Sequence, residues 1–331
     1  MDASGLVLEF DASVEPALRT KACDVLTAMA FPVRPCRVGV RVLSGGANNV
    51  NLCLQCDKSR WALKLRDASG VRFGVDARAA VETQSAAAKV GVAPLVQAFL
   101  WPDGHFISDF VDGETLHPNS IRDQRLAPDI AKTLHRLHQV QGSFREFSIF
   151  ADIKTFLKGA REIGNPEPPD LNDFLHIAAR MEETFIRTPA PRALCHNDLV
   201  PQNLMRAQGR LLLVDFDYAG VGWIAADLAG MTSQAQMTRQ ETAEFLTLYD
   251  PEADDGQRAR VEMLRFCNAL REVAWSLLAE PILAEKTTLS EGWSYQGHAR
   301  MNLDLAKSIL QARSADALID AAVRVRPSAL F

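Results

Sequence analysis

Three residues near the middle of the chain have the types and spacing for phosphoryl-transfer chemistry. Asp198 and Asn203 stand in "HNDLVPQN", and Asp215 opens "DFDYAG" after four apolar residues. Moving a phosphoryl group needs little covalent help from a protein. It needs a carboxylate to orient the attacking hydroxyl and oxygen ligands for a divalent cation that neutralises triphosphate charge. The H-x-D-x-x-x-x-N spacing puts a base and a metal ligand into one loop. A single Asp or Asn would serve as a turn or cap residue. Three at this spacing point to chemistry.

Those residues must be positioned by the elements around them. "NLMRAQGRLLLVDF" reads as a hairpin turning at Gly209 inside a helical region. Upstream, "CRVGVRVLSGG", "NNVNLCLQCD" and "RWALKLRD" alternate as three strands. Residues 75–91, alanine-rich and closed by Gly91, predict a helix with a C-terminal stop. Two more short strands flank the Pro102-Asp103-Gly104 turn, for about five strands and one prominent helix. From about residue 120 the pattern is helical: Leu126, Ile130, Leu134 and Leu137 make an amphipathic stripe. The change falls near Val111 to Glu114, dividing the chain into residues 1–112 and 113–331.

At 331 residues, two lobes are the expectation. The net charge of −5 and the scattered Lys and Arg residues argue against nucleic acid as the main partner. No leader pattern or 18-residue apolar run is visible, so a cytoplasmic protein without membrane insertion is expected. Six cysteines are too sparse for a disulfide scaffold. Cys53 and Cys56 form a C-x-x-C on a strand, where they face opposite ways and cannot share a metal. Cys195, beside His196, reads as a buried structural residue.

The ordered motifs "HNDLVPQN", "DFDYAG" and "DLA" resemble those of the choline/ethanolamine kinase and aminoglycoside phosphotransferase superfamily. "LSGGANNVNLCL" resembles its nucleotide loop, "WALKL" its strand with a basic residue, and "RAAVETQSAAAKVGVAP" its helix with a glutamate. "FISDFVDGETL" is similar to the hinge, and "LHRLH" to the first large helix. The resemblance covers roughly residues 38–310. It implies a bilobal protein-kinase-like α+β fold, with a nucleotide-binding sheet lobe and a larger helical lobe.

The resemblance also implies roles. ATP would contact Ser44, Gly45, Gly46 and Asn48, with Lys64 on the α and β phosphates, Glu82 holding Lys64 by an ion pair, and Asp109 and Val111 at the hinge. Asp198 would be the base, and Asn203 and Asp215 the Mg2+ ligands. His196 would bond the loop backbone, and Asp227 would brace it. Asp217, Tyr218, Trp275, Trp293 and Tyr295, with Asp198, are expected at the acceptor. Leu278 replaces a family tryptophan, which leaves the aromatic set one ring short. ATP-dependent phosphorylation of a small cationic alcohol, choline- or ethanolamine-like, is the resulting expectation, with a protonated amino alcohol at least as good as choline. An aminoglycoside or another small alcohol such as thiamine or homoserine is the enzyme alternative, and a non-catalytic nucleotide binder the alternative of another class. No A-P-E segment follows "DFDYAG", which argues against a protein kinase.

Overall fold

The computed structural model describes residues 7–31, 36–43, 49–188, 190–284 and 292–325. The chain opens with β1 (Val7–Phe10), α1 (Pro16–Ala28), β2 (Arg37–Leu43), β3 (Asn49–Cys56) and β4 (Ser59–Arg66). A 3-10 turn at Ala68–Phe73 precedes α2 (Ala77–Lys89), β5 (Val96–Leu100) and β6 (His105–Asp109). The six strands form one sheet in the order β1-β2-β3-β4-β6-β5, antiparallel except for the parallel β1–β2 pair. The strands expected between residues 36 and 109 are all present. β1 and α1 were not anticipated, because α1 buries only Ala22, Val25 and Leu26 and its apolar stripe is correspondingly thin.

Local chemistry sets the element ends. Asp76 caps α2 by accepting from the Arg78 and Ala79 backbone N–H groups, and Gly91 takes the left-handed conformation after it. Between β5 and β6, Gly104 has φ +75°, and a Cβ there would meet that of Ala77 at 2.3 Å. Alternation along β3 sends Leu52, Leu54 and Cys56 into the sheet-lobe core with Val38 and Leu63. Cys53 faces the other way, as expected. Cys56 instead makes a disulfide with Cys36, Cα to Cα 6.4 Å, a pairing that no sequence spacing signalled.

The second part is mainly helical. After β7 (Glu114–Thr115) come α3 (Pro118–Ile121), α4 (Ala127–His138), α5 (Ile149–Ile163) and α6 (Leu171–Arg187). β8 (Arg192–Cys195), a 3-10 turn at Pro201–Asn203, β9 (Leu204–Ala207), β10 (Arg210–Leu213) and β11 (Gly220–Trp223) follow. The chain continues through α7 (Ile224–Gln234), α8 (Arg239–Tyr249), α9 (Asp255–Leu283), α10 (Tyr295–Ala312) and α11 (Ala315–Ala322). Ile130, Leu134 and Leu137 are fully buried, so the α4 stripe is a core face. The β9–β10 hairpin turns through Gln208 and Gly209, both at positive φ, as a two-residue turn demands. α9 is buried around most of its girth and packs on α5, α7, α10 and α11. Among the described residues no helix is long and apolar enough to cross a membrane.

Candidate active site

The "HNDLVPQN" segment leaves β8 and is tied down by backbone and side-chain hydrogen bonds before it reaches β9. Asp227, in the first turn of α7, accepts from the backbone N–H groups of His196 (2.8 Å) and Asn197 (2.7 Å). Its Oδ2 also meets His138 Nε2 at 2.9 Å, while His138 Nδ1 meets the Tyr249 hydroxyl at 2.8 Å. Asp227 therefore braces the loop as expected, and His138 is a buried part of the brace. His196 is fully buried, and its Nε2 donates to the Val214 carbonyl at 3.0 Å. Burial holds its pKa below the usual imidazole value, which fits a structural, neutral ring. Burial beside the Asp227 carboxylate likewise pushes the Cys195 thiol well up, which fits a buried structural residue.

Asn197 has φ +63°, and its side-chain Nδ2 donates to the carbonyls of Tyr218 (3.1 Å) and Gly220 (3.3 Å), coupling the loop to the segment after Asp215. Asn203 donates through Nδ2 to the Asp198 carbonyl (2.9 Å) and to Asp198 Oδ2 (3.3 Å). The Val214 N–H donates to the Asn203 carbonyl at 2.9 Å. Asp215 follows with φ +65°, a costly conformation for a non-glycine residue and one that clusters at functional sites. Asp198, Asn203 and Asp215 are thus brought together on one hairpin.

Lys64 reaches this hairpin from β4. Its ammonium is 2.6 Å from Asp215 Oδ1 and 2.8 Å from Asp217 Oδ1. Asp217 also accepts from Arg66 Nη2 (2.8 Å) and from Asn49 Nδ2 (3.1 Å). Despite burial, the two cations hold the Asp217 carboxyl far below the ordinary carboxylate range. Two expectations are corrected here. Glu82 does not pair with Lys64: it is exposed on α2 and bound to Arg78 at 2.8 Å, because the faces of α2 that pack inward carry Ala80, Thr83, Gln84 and Ala87. Asp217, expected at the acceptor, instead has both oxygens taken by Lys64, Arg66 and Asn49 of the sheet lobe.

Beside Asp198, Arg271 of α9 is 3% exposed and sits between three carboxylates. Its Nε donates to Asp152 Oδ2 (2.9 Å), while Nη1 meets Glu272 Oε1 (3.2 Å) and lies 3.6 Å from Asp198 Oδ1. Its guanidinium carbon stands 4.5 Å from the centre of the Tyr218 ring. Tyr218, expected at the acceptor, is buried under that stack. The Asp198 side chain keeps 24% of its surface accessible, yet the packed groups around it withdraw enough water to push its carboxyl up to about 7. Desolvation is the main cause, opposed by Arg271 and aided by Glu272, Asp215 and Asp217.

One turn along α9 from Arg271, Trp275 meets rings from α10 and the segment before it. Trp275 and Tyr295 have centroids 5.7 Å apart, Trp293 and Tyr295 4.9 Å, and Trp293 and His298 5.8 Å. Glu272 Oε2 meets His298 Nε2 at 3.1 Å, which links the ring cluster to Arg271 and so to Asp198. Leu278 is not part of it: it is buried toward Gly159 of α5. Sequence reading missed Asp152, Arg271, Glu272 and His298. The available signal was an Arg-Glu pair amid an apolar helical run, three and four residues before a tryptophan.

Asp109 and Val111 lie where β6 leaves the sheet, with Asp109 bound by Gln97 Nε2 at 2.7 Å. Ser44, Gly45, Gly46 and Asn48 lie outside the described residues.

Comparison with known proteins fits this arrangement. The family model of choline/ethanolamine kinase matches residues 74–269. Protein LicA of Haemophilus influenzae is 22% identical over 283 residues, which cover 81% of this chain and 78% of LicA. A choline/ethanolamine kinase family protein from Mesorhizobium loti is similar in structure with a TM-score of 0.73 at 20% identity, over 92% of this chain and 99% of that one. The choline kinase LicA from Streptococcus pneumoniae gives 0.71 at 19% identity, over 88% and 99%. The fold is therefore the bilobal kinase-like one that the motifs implied. Because the family match takes in more than half of the sequence, from the turn before α2 into the middle of α9, the chain belongs to the choline/ethanolamine kinase family.

Proposed function

We propose that this protein transfers the γ-phosphoryl group of ATP to the hydroxyl of a small alcohol with a quaternary ammonium head, of the choline type. The observation that carries this reading is the ring cluster of Trp275, Trp293, Tyr295 and His298, which reaches Glu272 through His298 and from there, through Arg271, Asp198. Ring faces attract a cation that cannot donate hydrogen bonds, and a nearby carboxylate adds charge. Both Glu272 oxygens already accept, one from Arg271 and one from His298, so the pocket offers more charge than free acceptor sites. That balance favours a methylated ammonium over a primary amine and reverses the preference drawn from Leu278.

In this reading residues 1–112 take the nucleotide, with Lys64 on its phosphates and residues 44–48 and 109–111 around it. Residues 113–331 supply the acceptor pocket and the reacting groups. Asp198 accepts the hydroxyl proton and orients the oxygen. Asn203 and Asp215 fit magnesium by donor chemistry: both offer hard oxygens, and Asn203 spends its Nδ2 on Asp198, which leaves Oδ1 for a cation. Bound Mg2+ would neutralise phosphate charge.

A coupled assay with Mg-ATP over choline, ethanolamine, their methylated intermediates, a neutral alcohol and an aminoglycoside tests the reading. The highest kcat/KM is expected for choline. A clear preference for the neutral alcohol or the aminoglycoside would remove it.

A further inference from the structure

The acceptor pocket and the reacting carboxylate are joined by one side chain whose geometry limits which acceptors fit. A single nitrogen, Arg271 Nη1, contacts both Glu272 Oε1 (3.2 Å) and Asp198 Oδ1 (3.6 Å). Those two oxygens are therefore separated by no more than two contact lengths. The nitrogen itself cannot wander, because Nε is held by Asp152 at 2.9 Å and the guanidinium plane lies against Tyr218 at 4.5 Å and Phe156 at 5.6 Å. Nη2 is buried and has no hydrogen-bond partner among the described residues. The side chain thus sits where the three carboxylates and the ring hold it, although one donor is left unspent.

We infer that Arg271 is a positioning residue that sets the distance between the cation-binding and hydroxyl-binding ends of the acceptor, selecting alcohols with a two-carbon spacer between nitrogen and oxygen. The inference rests on the acceptor reading above. An acceptor with its cation against Glu272 and its hydroxyl at Asp198 must match a gap that Arg271 fixes. With each added methylene the chain must buckle or the hydroxyl overshoots the carboxylate. Lysine carries the same charge but no planar fork, so it cannot hold Asp152, Glu272 and Asp198 together in this arrangement.

The test measures kcat/KM for trimethylammonium alcohols with two, three and four carbons between nitrogen and oxygen, in the wild type, Arg271→Lys and Asp152→Asn. The wild type should favour the two-carbon over the four-carbon alcohol by at least about a hundredfold, the scale on which misplacing a reacting atom by an ångström acts. Arg271→Lys should shrink that ratio by at least about tenfold while KM for ATP stays within about twofold, and Asp152→Asn should shrink it less. A merely structural arginine would lower the rate for all three alcohols and leave the ratio alone, and that result overturns the inference. If Arg271→Lys does not fold, Asp152→Asn decides, and an unchanged ratio in it overturns the inference. Wild-type turnover without a length preference sinks this inference but spares the acceptor reading. Wild-type failure on all three alcohols sinks both.

Discussion

Lys64 places its ammonium 2.6 Å from Asp215 Oδ1, joining a strand of the sheet lobe to the end of the β9–β10 hairpin 151 residues away. The proposed mechanism gives that carboxylate to magnesium and the ammonium to the phosphates. Asp215→Ala should abolish magnesium-dependent ATP binding, and Lys64→Ala should weaken it with metal present. Calorimetry finding wild-type Mg-ATP affinity in both variants would exclude these roles.

Asp198→Asn should leave ATP binding nearly intact and cut turnover by at least about a hundredfold, the lower end of what a positioned proton acceptor supplies. The amide keeps the shape and the contact with Asn203 but cannot take the proton. Near-normal turnover on the true acceptor would remove Asp198 as the base.

The Asp198 carboxyl, pushed up to about 7 by burial, has a consequence for the protein without metal or nucleotide. Its folded pKa lies above its unfolded value, so between pH ~4 and ~7 the folded state keeps a proton that the unfolded chain has lost. Wild-type stability should fall relative to Asp198→Asn as pH rises through that window, by up to about 1.4 kcal/mol per pH unit, and the difference should level off above pH ~7. Denaturant unfolding of both proteins across pH checks this. Parallel stability curves would show that the carboxyl titrates near its ordinary value.

Trp275→Ala should raise KM for the ammonium alcohol and spare KM for ATP, because its ring belongs to the cluster that reaches Glu272 through His298. Loss of one ring face is worth about 0.5–2 kcal/mol, or roughly twofold to thirtyfold. Steady-state kinetics that show the larger rise in KM for ATP would move the tryptophan out of the acceptor pocket.

Glu82 offers the opposite kind of check. It is exposed and its partner is Arg78, so Glu82→Ala should change turnover by less than about twofold and stability by no more than about 0.5 kcal/mol. A loss comparable to that of Lys64→Ala would restore the ion pair that the helix orientation denies.

What the sequence disclosed was local. The HxDxxxxN spacing, the α4 stripe and the turn at Gly209 each involve residues close in the chain, where periodicity and turn chemistry suffice. What it hid depends on which faces meet after folding. Lys64 and Asp217 are far apart in sequence, so nothing nearby shows that β4 delivers two cations to the hairpin. Glu82 looked apt because its helix follows the right strand, yet helix rotation decides its partner. Arg271 and Glu272 resemble a solvated charged pair until α9 is seen to be enclosed by α5, α7, α10 and α11. Leu278 marked a missing ring by its position alone, whereas the contact of Trp293 and Tyr295 with Trp275 depends on how α10 and the segment before it pack on α9.

The Asp227 brace also governs when the site comes into being. His138 ends α4, Asp227 lies in the first turn of α7 and Tyr249 ends α8, so the brace behind the loop carrying Asp198 is complete only after His138 has met Tyr249, 111 residues away in the chain. Such distant closures are slow steps in folding, whereas the strand pairs β2–β3 and β3–β4 close short loops. During refolding the antiparallel strands should therefore gain protection from hydrogen exchange before the His196 and Asn197 amides do, and catalytic competence should return with those two amides rather than with the sheet.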